Sequence, residues 1–330
     1  MRILITGGSG FIGTHLARDL AGRGHEVCVL DLTAPRIAVD DVDYVLGDVR
    51  NKKDLLHRLK GVDAVYHLAA IVSVPLCQAD PIESYRTNTL ATAMLLDCVC
   101  EEMERTHRPI RVFFSSTSAV YGNLSQRVPI QEDGVSCLPI SFYGAQKLAS
   151  ETAIRMFHCH HGVPAMIFRL FNVYGPGQRS DSSYSGVITL FRDAAEKNGV
   201  LELHGDGSQV RDFVAIQDVV RAFSQALVLG IDRFTAEPIN IGSGRPISIR
   251  ELALLVGAFA GRSLDLRQVG KRSGDIDYSC ANVALAAKNL GWEVQVGLTE
   301  GLKDLFIESE SAWVRPRQRA FSVVGDSIRN

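Results

Sequence analysis

Tyr143 and Lys147 stand four residues apart in the stretch Phe142-Tyr143-Gly144-Ala145-Gln146-Lys147. On a helix that spacing stacks both side chains on one face. A phenol with a free pKa of about 10 is a poor base at neutral pH. A neighbouring ammonium favours the phenolate and lowers that pKa. The pair therefore predicts a tyrosine that can take a proton at physiological pH. The spacing alone is common on protein surfaces, so the reading depends on what else the chain brings to the same place.

A second group of residues points to a dinucleotide. Gly7, Gly10 and Gly13 fall as G-x-x-G-x-x-G between a short apolar strand, Ile3–Thr6, and an amphipathic helix reaching about Leu20. Glycines there allow a tight turn and close backbone approach, and they set a helix N-terminus against a diphosphate. The next strand, Glu26–Leu30, runs into Asp31. A carboxylate at that point can bind both ribose hydroxyls of adenosine and would repel a 2′-phosphate, so NAD is expected rather than NADP. The alternative is a loop or capping aspartate. After a third strand, Tyr44–Leu46, Asp48 can accept from the adenine amino group with Val49 against the ring, or be an idle loop acid. A fourth strand, Asp63–Leu68, ends in the small residues Ala69 and Ala70, with His67 expected in the core. A long helix is expected from Pro81 to about Arg105 and contains Asn88. The strand Ile110–Ser115 leads into Ser116-Thr117-Ser118, the Tyr143 helix runs to about His161, and Ala165–Leu170 is a further strand. Alternating strands and helices predict an α/β protein with a Rossmann-type, doubly wound parallel sheet.

Composition narrows the remaining classes. The chain has 330 residues, with 35 basic and 37 acidic side chains and a net charge of −2. That balance, with no basic block, argues against nucleic acid and against a polybasic membrane contact. No apolar run approaches the ~20 residues of a membrane span. The first residues have strand composition rather than that of a signal segment. The seven cysteines are scattered without a Cys-x-x-Cys motif, which fits free thiols and a cytoplasmic protein better than a disulfide framework. His158-Cys159-His160-His161 points in several directions at a helix end and is not expected to hold a metal.

With Gly7–Gly13, Asp31, Thr117 and Tyr143/Lys147 in this order, the chain resembles an extended short-chain dehydrogenase/reductase of the NAD-dependent epimerase/dehydratase group. Phe171-Asn172-Val173-Tyr174-Gly175-Pro176, Gly205–Phe213, Asn240–Gly244 and Leu290-Gly291-Trp292 are similar to later landmarks of that group. The resemblance implies a nucleotide-binding domain over 1–177, with 212–229 packing back on it, and a smaller nucleotide-sugar-binding α/β domain over 178–330. It implies cofactor contacts at Phe11, Ile12, Leu68, Asn88 and Ser115 besides those above. It implies substrate contacts at Ser73, Thr117, Asn172, Val187, His204, Arg211, Arg272 and Asp275, the two arginines clamping a diphosphate. It further implies a homodimer through the helices near 81–105 and 140–161.

The chemistry expected is oxidation of a sugar alcohol. Tyr143 takes the hydroxyl proton while hydride goes to NAD, Thr117 hydrogen-bonds the sugar oxygen, and Lys147 touches the nicotinamide ribose. Dehydratases of the group carry an Asp-Glu pair where this chain has Ser118-Ala119, and decarboxylases often a glutamate at Ala119. Alanine moves no protons, so a 4-epimerase of a nucleotide hexose is the simplest reading. Ser182–Ile188 resembles UDP-hexose epimerases. A gate position counted from Arg272 falls on Ser279, or on Tyr278 if the count slips by one. A small gate would admit an N-acetylhexosamine. A uronic acid substrate stays open through Arg179.

Overall fold

The computed structural model describes residues 1–178, 186–197, 199–262, 264–270, 275–307 and 322–323. Six strands of the first half are β1 (Arg2–Thr6), β2 (Glu26–Asp31), β3 (Val42–Leu46), β4 (Ala64–His67), β5 (Arg111–Thr117) and β6 (Ala165–Leu170). With Thr235–Ile241 and Ser322–Val323 they form one parallel sheet. Its order is Thr235–Ile241, β6, β5, β4, β1, β2, β3, Ser322–Val323. The strand order reverses direction between β1 and β4, leaving a crevice outside the carboxyl ends of these strands. The central strands read as near-continuous apolar runs because helices cover both faces; Ile3, Leu4 and Ile5 are all fully buried.

Two apolar clusters sandwich this sheet. One face joins Leu16, Ala17 and Leu20 of the helix Phe11–Gly22 to Val219, Phe223 and Ala226 of the helix Ile216–Leu227. The other joins Leu95, Leu96 and Val99 to Ile154 of the helix Phe142–His161. The first layer thus takes in Ile216–Leu227, which lies within the 212–229 stretch, and also Thr235–Ile241 from beyond it. A third cluster, around Phe191, Leu203, Phe213, Leu252 and Leu302, forms the core of the smaller region. Its short strands are Asn172–Tyr174, Val210–Ala215 and Pro246–Ser248 in one sheet, and Val200–His204 with Asp265–Val269 in another.

The helix expected over 81–105 is not one α-helix. Pro81–Tyr85 passes through a π turn at Arg86–Leu90 before Ala91–Thr106 continues. The π turn inserts an extra residue and rotates the helix beyond it. The reason lies in tertiary hydrogen bonds at Asn88, described below.

Candidate active site

The strand ends and the smaller region enclose a cavity of about 890 Å³. At one end the first strand–loop–helix supplies Gly7, Gly10, Phe11, Ile12 and Gly13 to its wall. Gly7 has φ +72°, and a Cβ there would lie 2.6 Å from the backbone nitrogen of Ala69. A Cβ on Gly13 would lie 2.5 Å from Gly8 Cα. Both glycines are therefore required by close backbone approach. Gly10 caps the helix without a side-chain acceptor, so its first N–H groups are available to an anion. Asp31 closes this end. Its carboxylate accepts from Ser9 N at 3.0 Å and from Thr33 N at 3.0 Å. Leu68, Ala69 and Ala70 line the adjoining wall. These features fit a dinucleotide: a cradle a Cβ would fill, an uncapped helix N-terminus, and a carboxylate at the end of β2.

Asp48 and Val49 also line the cavity, but Asp48 is not idle. Arg50 donates to both its oxygens, with Nη2 at 2.6 Å from Oδ2. This pairing, through the side-chain hydrogen bonds first, holds the Asp48 carboxyl below the usual carboxylate range. Arg50 continues to Glu83, linking the adenine end to the helix Pro81–Tyr85.

At the other end stand the residues expected to react. Thr117 closes β5, and Tyr143 and Lys147 lie on the first turns of Phe142–His161, capped by Ser141. All three line the cavity, with Ser115 and Ser116. The Lys147 ammonium donates to the Ser115 carbonyl at 2.8 Å and lies 4.5 Å from the centre of the Phe114 ring. Burial pulls its pKa down to about 7, opposed first by Glu151 and then by Cys77. Tyr143 differs from the sequence expectation. Burial pushes its phenol above the ordinary value, a hydrogen bond with Thr117 pulls it back, and Cys77 adds to the rise. The ammonium donates to the Ser115 carbonyl, and the net direction of the phenol is upward.

Other expected contacts fall outside the wall. Asn88 is buried: its Oδ1 accepts from Ile71 N at 2.7 Å, and its Nδ2 donates to Ile71 O at 2.9 Å and to Gln146 Oε1 at 2.8 Å. It clamps the strand-end loop to the helix Phe142–His161 rather than lining the cavity, and these bonds hold the π turn in place. Ser73 is the buried N-cap of Val74–Ala79. His204 Nδ1 donates to the Gly270 carbonyl at 3.2 Å. Arg211 and Asp275 meet each other, Nη2 to Oδ1 at 2.6 Å, and burial lowers the Arg211 pKa. Ser279 is buried, its N–H donating to the Val210 carbonyl at 3.0 Å, and Tyr278 pairs with Val210 in a β-bridge. Neither lines the cavity. Arg179, Arg272 and Ser182–Ser185 lie outside the described residues. His67 is core as expected. Its Nδ1 is 2.7 Å from Thr6 Oγ1, its Nε2 is 3.0 Å from Thr92 Oγ1, and burial takes its pKa to about 3.

The substrate end adds Asn172 and Val187 as expected, and Arg192, Phe213 and Leu305, which were not. Asn172 Nδ2 donates to the Asp212 carbonyl at 3.0 Å. Arg192 lies on Val187–Lys197, where Ile188, Phe191 and Ala195 form the buried stripe. An arginine at i+4 from Ile188 falls on that stripe, and this periodicity was the signal available in the sequence. Its Nη2 is 3.4 Å from Asp193, while its buried Nε makes no hydrogen bond.

Comparison with known proteins agrees with this geometry. Residues 3–242 match the NAD dependent epimerase/dehydratase family. A putative UDP-glucose 4-epimerase of Methanocaldococcus jannaschii is 33% identical over 306 residues, covering 91% of this chain and 96% of that protein. A UDP-N-acetyl-alpha-D-glucosaminuronate decarboxylase of Bacillus cytotoxicus is 35% identical over 263 residues, 76% of this chain and 78% of that one. The structure of MoeE5 in complex with UDP-glucuronic acid and NAD superposes with a TM-score of 0.83 at 31% identity, covering 92% of this chain and 96% of that one.

Proposed function

The chain belongs to the NAD dependent epimerase/dehydratase family, and we propose that it is a 4-epimerase of a UDP-linked hexose. One observation carries the reaction type. Among the described residues, the carboxylates lining the cavity are Asp31, Asp48 and Glu83, all at the adenine end. Elimination of water across C5–C6 needs a second acid–base group beside the sugar. The substrate end offers Thr117, Tyr143, Ser116 and Asn172, and position 119 is alanine. That set supports oxidation and reduction at one carbinol carbon and no elimination.

Gly7–Gly13 hold the diphosphate of the cofactor, Asp31 the adenosine ribose, and Lys147 the second ribose. Bound NAD supplies a reversible hydride acceptor and a positive charge that favours the phenolate. Thr117 donates to the C4 oxygen and Tyr143 takes its proton as that carbon becomes a ketone. The sugar turns over in the cavity, and Tyr143 returns the proton when the carbon is reduced on its other face. Arg192 is read as a cation for the substrate diphosphate or for a uronate carboxylate. Arg211 can join it once the diphosphate competes with Asp275.

Incubation with UDP-glucose, UDP-N-acetylglucosamine and UDP-glucuronic acid, with products read by NMR, tests the reaction. The expected outcome is a mixture of C4 epimers from at least one sugar without net NADH. A 4-keto-6-deoxy sugar or a pentose product would overturn it. Arg192→Ala should raise the KM for the accepted sugar about tenfold while kcat changes less than about threefold, as loss of a ground-state charge contact requires. An unchanged KM would remove Arg192 from substrate binding.

A further inference from the structure

Behind the reacting groups lies a buried charge network that the proposed chemistry does not use directly. Glu151 stands one turn beyond Lys147 on Phe142–His161 and is fully buried. Its Oε1 accepts from the Ser116 hydroxyl at 2.5 Å and from Arg169 Nε at 3.0 Å. Its Oε2 accepts from Arg169 Nη2 at 2.7 Å. Ser116 directly precedes Thr117 on β5, and Ser115 before it receives the Lys147 ammonium. Two side chains one turn apart on the helix are thus tied to two successive residues of the strand that ends in Thr117. Arg169 on β6 also lies 4.7 Å from the centre of the Tyr121 ring.

We propose that Glu151 is a positioning residue for Thr117, Tyr143 and Lys147: it fastens the turn carrying Lys147 to the strand carrying Thr117, and it supplies the buried negative charge that faces the ammonium. The assignment rests on reading those three residues as the reacting set. Lys147 faces Cys77 from the helix Val74–Ala79 and a neutral His67 from β4, and of the groups opposing its loss of a proton Glu151 acts most strongly. Glu151 in turn faces Arg169, and Arg155 at 3.6 Å. Removing the carboxylate charge therefore leaves Lys147 near an uncompensated guanidinium. Removing Arg169 does the opposite and leaves the carboxylate to Arg155 and the Lys147 ammonium.

The test follows NAD affinity against pH by calorimetry and needs no sugar. In the wild type, affinity should weaken as pH rises through about 7, where Lys147 loses its proton. Glu151→Gln should move that midpoint down by about one unit or more, and Arg169→Gln should move it up by a similar amount. A merely structural role predicts one loss of affinity at every pH and no shift of opposite sign. An unmoved midpoint in either variant, or shifts of the same sign in both, would overturn the proposal. Ser116→Ala removes one hydroxyl and no charge, and covers the case in which neither charge variant folds. It should lose about tenfold in kcat with the sugar KM unchanged, as loosening of a reacting geometry does, and full retention of kcat would refute the fastening. A protein that shows both midpoint shifts yet epimerises no nucleotide sugar would sink the proposed reaction and leave the role of Glu151 standing.

Discussion

Tyr143→Phe should reduce kcat about a thousandfold or more while the protein stays folded and retains NAD. The magnitude follows from removing the group that moves the C4 hydroxyl proton in both directions, since positioned acid–base catalysis is worth about 10²–10⁴. The ring itself is kept, so packing at the start of the catalytic helix is preserved. The hydroxyl interacts with Thr117, whose own Oγ1 accepts from Ala119 N at 3.1 Å and therefore remains anchored. The residues proposed to bind the cofactor, Gly7–Gly13, Asp31 and Lys147, are not touched by the substitution. The measurement is steady-state epimerisation beside NAD calorimetry. A residual kcat within about tenfold of wild type would remove Tyr143 from the chemistry. Equal loss of NAD affinity would instead mark the phenol as a binding group.

The parts of this site that can be read along the chain are those built from one strand, one loop and one helix. Gly7, Gly13 and Asp31 are of this kind. The turn, the close approach and the carboxylate at a strand end are local consequences of residue type. Thr117, Tyr143 and Lys147 needed only that a strand end and a helix start meet at the same sheet edge. What could not be read depends on partners far away in sequence. The family resemblance implies that the polar side chain of Asn88 contacts the cofactor. Its bonds to Ile71 and Gln146 consume that polarity and break the helix into a π turn that no periodicity announces. Counting from Arg272 could not reveal that the Ser279 N–H is held by the Val210 carbonyl and that its side chain is buried. Lys147 beside Tyr143 implied a depressed phenol pKa from spacing alone. Burial, which depends on the whole fold, raises it instead.

Asp212→Ala should destabilise the protein by on the order of 4 kcal/mol, because each buried donor left without an acceptor costs about 1–3 kcal/mol. Asp212 follows Arg211, expected on the diphosphate, in the landmark segment Gly205–Phe213, yet it is fully buried. Its Oδ1 accepts from Ser243 N and Oγ at 2.6 Å each, and its Oδ2 from Gly244 N at 2.9 Å and Ala281 N at 3.0 Å. A Cβ on Gly242 would lie 2.7 Å from Oδ2, which is why the Gly242-Ser243-Gly244 loop can wrap this carboxylate. Burial, the largest influence, raises the Asp212 pKa above 3.8 despite those hydrogen bonds. The folded protein therefore holds this proton more tightly than the unfolded chain does. The associated stability is complete below the unfolded value of about 4 and is lost as pH rises through the folded value. Asp212→Asn keeps one acceptor and has no such proton, so it should cost less than alanine at pH 7. The advantage of wild type over Asp212→Asn should then widen as pH falls toward 4. Urea unfolding at the two pH values reads both effects, and an advantage that narrows on acidification would refute the buried-carboxyl account. Asn172 donates to the Asp212 carbonyl and Phe213 walls the cavity, so loosening this carboxylate should also raise the sugar KM and couple the stability of the smaller region to substrate binding.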